Sequence, residues 1–223
     1  MFYLGTPNTS KPPYRVPSFP YLTMKAKSSS PAGPWLKQYD ISPFRPQPET
    51  YYSVTASPGQ ITEHQGEYLQ FFSASILNKR IWRTLGIARS NDLNGEWKID
   101  PQPIVPLAEQ IENSSLYFEE ANKTWFLFTN HVGINCEEYT DAIWVYWSSD
   151  LNVWDANKKA VVLDSQNCNW SKRVVGLPSV IRVQNRLAIF YDGLREEGIG
   201  HMRRDIGLAW LDLPIEIHQF IKQ

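Results

Sequence analysis

The feature that most constrains this chain is a repeat. Three segments share one shape: QITEHQGEYLQFFSAS (60–75), SLYFEEANKTWFLFTN (115–130) and SVIRVQNRLAIFYDG (179–193). Each has an apolar strand, a polar turn centred on HQG, EAN or QN, and then an aromatic-rich strand, which is the pattern of a β-hairpin. A second unit follows each hairpin after a spacer: RTLGIARSNDLNGEWKI (83–99), DAIWVYWSSDLNVWDA (141–156) and DIGLAWLDLPI (205–215). The first two share a strand, then S-(N/S)-D-L-N, then a Trp-bearing strand. The same unit stands earlier as YLTMKAKSSSPAGPWLK (21–37). Hairpin plus hairpin makes a four-stranded antiparallel blade. The chain is therefore expected to be all-β, a β-propeller over residues 1–223 as one domain, with innermost strands near 59–63, 115–119 and 178–183.

No segment reads as a helix with any length. Residues 214–223 (PIEIHQFIKQ) suit one helical turn or a closing strand, and the Pro-rich stretches 7–20 and 40–50 read as extended loops. The opening MFYLGT resembles QFFSAS and FLFTN, the second strand of a hairpin, so its partner is expected upstream of residue 1. Three full or nearly full blades and most of another leave open strand edges, to be covered by another subunit, closed by C-terminal residues or completed by chain beyond this sequence; of these a homo-oligomer is expected.

Composition narrows the function. Hydrophobic residues make up 42% and charged residues 20%, which fits a globular chain. A net charge of −1 with scattered acids and bases gives no basic footprint, so a nucleic-acid partner is not expected. No apolar run approaches a membrane span, and the start lacks the charged and apolar regions of a signal peptide; a cytoplasmic protein is expected. Cys136 and Cys168 match no zinc spacing and read as free thiols; no metal and no cofactor are expected. Aromatics reach 13%, which suits sheet cores and also flat platforms for sugar rings.

Blade topology sorts the polar residues. The innermost strand begins at one face, the top, where ligands of propellers sit over the central channel. His64, Gln65, Glu119, Glu120, Asn122, Asn185, Asp92, Asn94 and Asp150 fall at bottom turns, where Asn, Asp and Gly serve the backbone. Ser57, Pro58 and Gly59 precede an innermost strand. At the top fall Glu112 and Asn113, before an innermost strand; Asn130, His131 and Asp192, at the ends of second strands; and Asp141, Arg203, Arg204 and Asp205, at the starts of third strands. Carboxylates for acid and base work, with charged donors and acceptors for hydroxyls, suit sugar chemistry.

These phrases, LPSVIRVQNRLAIFYDG, GIARSNDLNGEW, DIGLAWLDLP and IENSSLYFEEANKTWFLFTN, resemble the five-bladed glycoside hydrolases of the family 43, 32 and 117 type. The resemblance covers nearly the whole chain as a rhythm of short motifs. It implies an exo-acting glycosidase that cleaves a terminal sugar such as a galactoside, arabinofuranoside or xyloside. Glu112, in IENSSLYF, matches the family's general acid. SPGQI (57–61) sits where the family's middle aspartate belongs and offers Ser57, and the first-blade aspartate has no counterpart in the chain. The catalytic set is accordingly expected among Glu112, Asp192 and Asp205, with Asn113, His131 and Arg204 binding an oligosaccharide or glycoside substrate. The alternative is a carbohydrate-binding propeller without turnover. A protein-interaction propeller ranks last, because the Gly-His…Trp-Asp signature is missing.

Overall fold

The computed structural model describes residues 1–40, 43–133, 140–195 and 204–221. Two compact units divide the chain, Met1–Pro103 and Ile104–Gln223. In the first, β1 (Phe2–Gly5) pairs with β4 (Leu22–Lys27), which pairs with β5 (Leu36–Gln38). Between them β2 (Asn8–Thr9) and β3 (Pro17–Ser18) form a small ladder inside the stretch expected to be loop. A four-stranded antiparallel sheet follows: β6 (Thr55–His64), β7 (Glu67–Asn78), β8 (Arg80–Ser90) and β9 (Lys98–Ile99).

The second unit repeats the plan. A 3-10 turn at Leu107–Glu109 leads into β10 (Ile111–Glu119), β11 (Thr124–Val132), β12 (Thr140–Ser148) and β13 (Lys159–Asp164), hydrogen-bonded in chain order. A three-stranded sheet of β14 (Val175–Val183), β15 (Arg186–Gly193) and β16 (Asp205–Asp212) comes next. One helical turn, α1 (His218–Ile221), ends the described chain. The innermost strands β6, β10 and β14 contain or overlap the three expected segments. Among the described residues no helix is long and apolar enough to cross a membrane.

The turns explain the repeat. Gln65 and Gly66 both take positive φ, 54° and 81°, between the paired His64 and Glu67; this two-residue turn matches the twist of its strands, and Gly66 meets it without a Cβ penalty. The shared S-(N/S)-D-L-N phrase is a turn device. Asp92 Oδ1 accepts from the Asn94 backbone N–H at 2.9 Å, and Asp150 Oδ1 accepts from that of Asn152 at 2.8 Å. The Ser90 hydroxyl donates to Asp92 and Glu96 carbonyls, and that of Ser148 donates to the Val153 carbonyl. Trp97 and Trp154 follow these turns into buried positions.

Alternation places the core. In the second unit Phe126, Phe128, Ile143 and Val145 of the β10–β13 sheet pack with Val175, Leu187, Ile189 and Tyr191 of the β14–β16 sheet. The opposite face of the latter carries Ile181, Phe190, Ile206, Leu208 and Trp210, all exposed. In the first unit Phe44, Tyr52, Ala56, Phe72, Ala74, Ala88 and Trp97 form the core. A bottom turn anchors the end of the second unit. Buried Glu119 accepts from the Ile215 backbone N–H at 3.0 Å and from the Tyr117 hydroxyl at 3.2 Å, while Asn122 Nδ2 donates to the Ile215 carbonyl at 2.8 Å. Burial of a carboxylate demands such donors.

Cys168 is buried and unbridged; Cys136 lies outside the described residues. Cys168 Sγ lies 3.6 Å from Tyr191 Oη, which accepts from Trp170 Nε1–H at 2.8 Å. Burial and the neighbouring thiol push the Tyr191 phenol up to about 12, from about 10 in a free chain. The folded state therefore favours the neutral phenol. That contribution is whole below about pH 10 and fades as pH rises toward 12. Tyr191→Phe is expected to cost about 1–2 kcal/mol in urea unfolding at pH 7, with the gap to the unsubstituted protein closing between pH 10 and 12. Equal stability at pH 7 would contradict this account of the pocket.

Candidate functional site

Each innermost strand bulges near its start. On β10, Glu112 faces Asn130 and Ser115 faces Phe128, so two residues stand opposite one. On β6 the same shift lies between Pro58 and Ile61, and on β14 between Gly176 and Ser179. Bulges bend a strand and re-aim a side chain, and they concentrate beside active sites. Register makes Pro58, Glu112 and Gly176 equivalent, as the last paired residues before the bulge. Of these three, Glu112 alone is a carboxylate.

Glu112 is half-buried and held from two directions. Its carbonyl accepts from the Thr129 hydroxyl at 2.7 Å, and its Oε1 lies 3.5 Å from Asn130 Nδ2. Asn113, inside the bulge, takes φ 57°, a left-handed conformation that Asn tolerates better than most residues. Its side-chain amide donates to Asn130 Oδ1 at 2.6 Å. The bulge of β14 reaches the same atom: the Leu177 N–H donates to Asn130 Oδ1 at 3.3 Å, with Leu177 at φ 49°.

The other expected residues divide among different places, for a reason alternation supplies. His131 follows Asn130 on β11 and so faces the opposite side of its sheet. There it stacks on Trp144, with ring centroids 4.2 Å apart and planes 2° from parallel, and its Nδ1 lies 3.0 Å from the Glu109 carbonyl. Asp192 follows Tyr191 on β15 and turns away from the core that Tyr191 enters. Its Oδ2 accepts from Arg204 Nη1 at 2.7 Å, with both side chains 14% exposed, and its Oδ1 is buried without a hydrogen-bond partner among the described residues. Asp205 is more than half exposed and pairs with Arg195 at 2.8 Å. Arg203 lies outside the described residues, as does the Asp141 side chain. Glu112 and Asn113 thus share one cluster around Asn130, while the contacts described for His131, the Asp192–Arg204 pair and Asp205 are made with other residues.

Sequence reasoning missed four residues beside His131: Glu109, Trp144, Tyr146 and Lys159. The Tyr146 hydroxyl donates to Glu109 Oε2 at 2.6 Å, Lys159 Nζ donates to the same oxygen, and that ammonium lies 4.6 Å from the Trp144 ring centroid. Burial, and then the Glu109 bond and charge, hold the Tyr146 phenol far above its ordinary range. The alternation of DAIWVYW put Trp144 and Tyr146 on one face, but no local signal ties them to Glu109 or Lys159. No group of three or more His, Cys, Asp or Glu among the described residues could hold a metal ion.

No protein-family model and no curated protein matches the chain. Solved structures do. An endo-arabinase from Bacteroides thetaiotaomicron superposes with TM-score 0.64 at 16% identity, over 85% of this chain and 66% of that one. The family 32 β-fructofuranosidase of Bombyx mori gives 0.68 at 14% identity, over 98% and 44%. A β-1,2-mannobiose phosphorylase from Listeria innocua gives 0.62 at 18% identity, over 88% and 51%. The chain spans less than two thirds of the length of each. At such identities the likeness carries the fold, and the fold is the all-β propeller type built from antiparallel blades.

The Asp192–Arg204 pair gives a test of the strand end. Arg204→Met strands a carboxylate that is mostly out of water, and is expected to cost about 3 kcal/mol in urea unfolding. The double variant with Asp192→Asn should recover most of that loss. A double variant as unstable as Arg204→Met would mean that the guanidinium acts elsewhere.

Proposed function

We propose that the chain belongs to a glycosidase acting on a terminal sugar unit, with Glu112 as its general acid. The observation that carries this reading is the bulge: a half-buried carboxylate stands where an innermost blade strand bulges near its start. The fold shared with carbohydrate-active enzymes supports it. A positioned acid protonates the leaving oxygen of a glycosidic bond while a second carboxylate serves as base or nucleophile. For that second role Asp192 is favoured over Asp205, because its Oδ1 is buried with no hydrogen-bond partner among the described residues, whereas Asp205 is solvated and paired with Arg195. Asn113, His131 and Arg204 are the proposed contacts to sugar hydroxyls.

One observation favours a second reading, a carbohydrate-binding propeller without turnover. The positions equivalent to Glu112 are Pro58 and Gly176, neither of which ionises. Nitrophenyl galactoside, arabinofuranoside and xyloside separate the two readings: nitrophenol release supports the enzyme, and binding without release supports the lectin-like module. On the substrate that turns over, Glu112→Gln should slow poor leaving groups by about 10²–10⁴-fold, the usual worth of positioned proton transfer, and activated aryl leaving groups less. A Glu112→Gln protein that cleaves both kinds at the unsubstituted rate removes Glu112 from the role.

A further inference from the structure

The Asn130 side chain is fully buried, yet each of its polar atoms is engaged. Its oxygen accepts from Asn113 Nδ2 at 2.6 Å and from the Leu177 backbone N–H at 3.3 Å. Its nitrogen faces Glu112 Oε1 at 3.5 Å. Both donors to the oxygen come from residues with left-handed backbone, Asn113 at φ 57° and Leu177 at φ 49°. A Leu in that region is strained and persists only where its surroundings over-determine it. One amide thus ties together the bulges of two neighbouring innermost strands and presents its remaining donor to the carboxylate that one bulge projects.

We propose that Asn130 is a positioning residue: it holds the β10 and β14 bulges in register and orients the Glu112 carboxyl group from behind. This rests on the reading of Glu112 as the acid, but concerns a residue that does not touch substrate. The amide is suited to the task because it donates and accepts at once. A hydroxyl is too short to span the three partners, and a carboxylate accepts only. Rotation of the amide by half a turn would set its oxygen against the carboxylate and its nitrogen against two donors, so the three contacts together select one orientation. Misplacement of a reacting group by about 1 Å can cost about 10²-fold in rate, which is the scale at which such a residue acts.

Asn130→Asp separates positioning from scaffolding. It keeps the volume and both acceptor bonds, to Asn113 and Leu177, and sets a charged acceptor where the donor to Glu112 stood. Two signals are followed: the backbone amide of Leu177, and the carboxyl carbon of Glu112, assigned through its loss in Glu112→Gln. We expect the Leu177 signal to hold and the Glu112 signal to move. On the nitrophenyl glycoside that the unsubstituted protein cleaves fastest, kcat should fall by up to about 10²-fold with KM little changed. A Glu112 signal unmoved in Asn130→Asp overturns the proposal, whatever the turnover. So does an unchanged kcat when Glu112→Gln is crippled. If instead Glu112→Gln is fully active while Asn130→Asp moves the Glu112 signal, the acid reading falls and the positioning role stands. Should the added buried carboxylate prevent folding, Asn113→Gly takes its place. Glycine accepts the left-handed backbone and withdraws one donor from Asn130, so the same shift of the Glu112 signal and a smaller fall in kcat are expected. No shift there refutes the proposal equally.

Discussion

The second unit depends on one packing constraint: two antiparallel sheets bury apolar faces against each other, so polar chemistry is pushed to the strand ends. Phe126, Phe128, Ile143 and Val145 meet Leu187, Ile189 and Tyr191 with no room for an unpaired donor or acceptor. Where polar groups enter this layer they come in satisfied sets. Tyr191 is met by Trp170 and Cys168, and Ser115 Oγ accepts from the Val180 N–H at 3.0 Å. The Asn130 set lies at the margin of the same layer, where the strands begin to bulge. Close packing below holds that margin still, and stillness is what a group that must aim a proton requires.

The bulge converts packing into projection. A regular strand would alternate Glu112 and Asn113 strictly in and out, and a one-residue slip would move every side chain to the other face. The extra residue after Glu112 absorbs that change locally, so the apolar run Leu116 to Phe118 keeps its register with Trp125 to Leu127 while Glu112 keeps Asn130. The left-handed residue of this bulge is Asn113, which also supplies a side-chain donor. Sequence and strain agree at this position. In β14 the corresponding left-handed residue is Leu177, which gains nothing from its own side chain and relies on its N–H bond to Asn130.

Much of the fold was legible because its signals are local. Two-residue turns, Asx turns that follow a serine, and period-two alternation each occupy a few consecutive residues, and the structure places blade strands where those signals fell. Glu112 stood out as an acid expected just before an innermost strand; the bulge lets pairing run on past the expected start, so Glu112 and Asn113 lie inside β10 and Ser57 to Gly59 inside β6. The grouping of the site was less legible. Topology assigns residues to the top of a blade, but alternation then divides them between faces. Adjacent Asn130 and His131, and adjacent Tyr191 and Asp192, had to part company, and that consequence was readable from the sequence. Asn130 bonding to Leu177, 47 positions along the chain, and Lys159 reaching Glu109, 50 positions back, were not, because contacts between strands of distant register leave no local trace.

The repeat also shows why the carboxylate stands on this strand and not the next. Asn130 and Asp192 hold equivalent places, each facing the last paired residue before a bulge. Asn130 can serve a carboxylate and two N–H groups at once. Asp192 can only accept, and it draws in Arg204 to balance its charge. A glutamate opposite Asp192 would set two carboxylates face to face at a margin with little water, an arrangement in which one must take up a proton or the strands must part. Gly176 occupies that place instead, with no side chain to oppose. The residue before each bulge and the residue across from it therefore form a matched pair: acid with amide in β10 and β11, glycine with ion-paired aspartate in β14 and β15. The acid is tolerated only where its partner can donate.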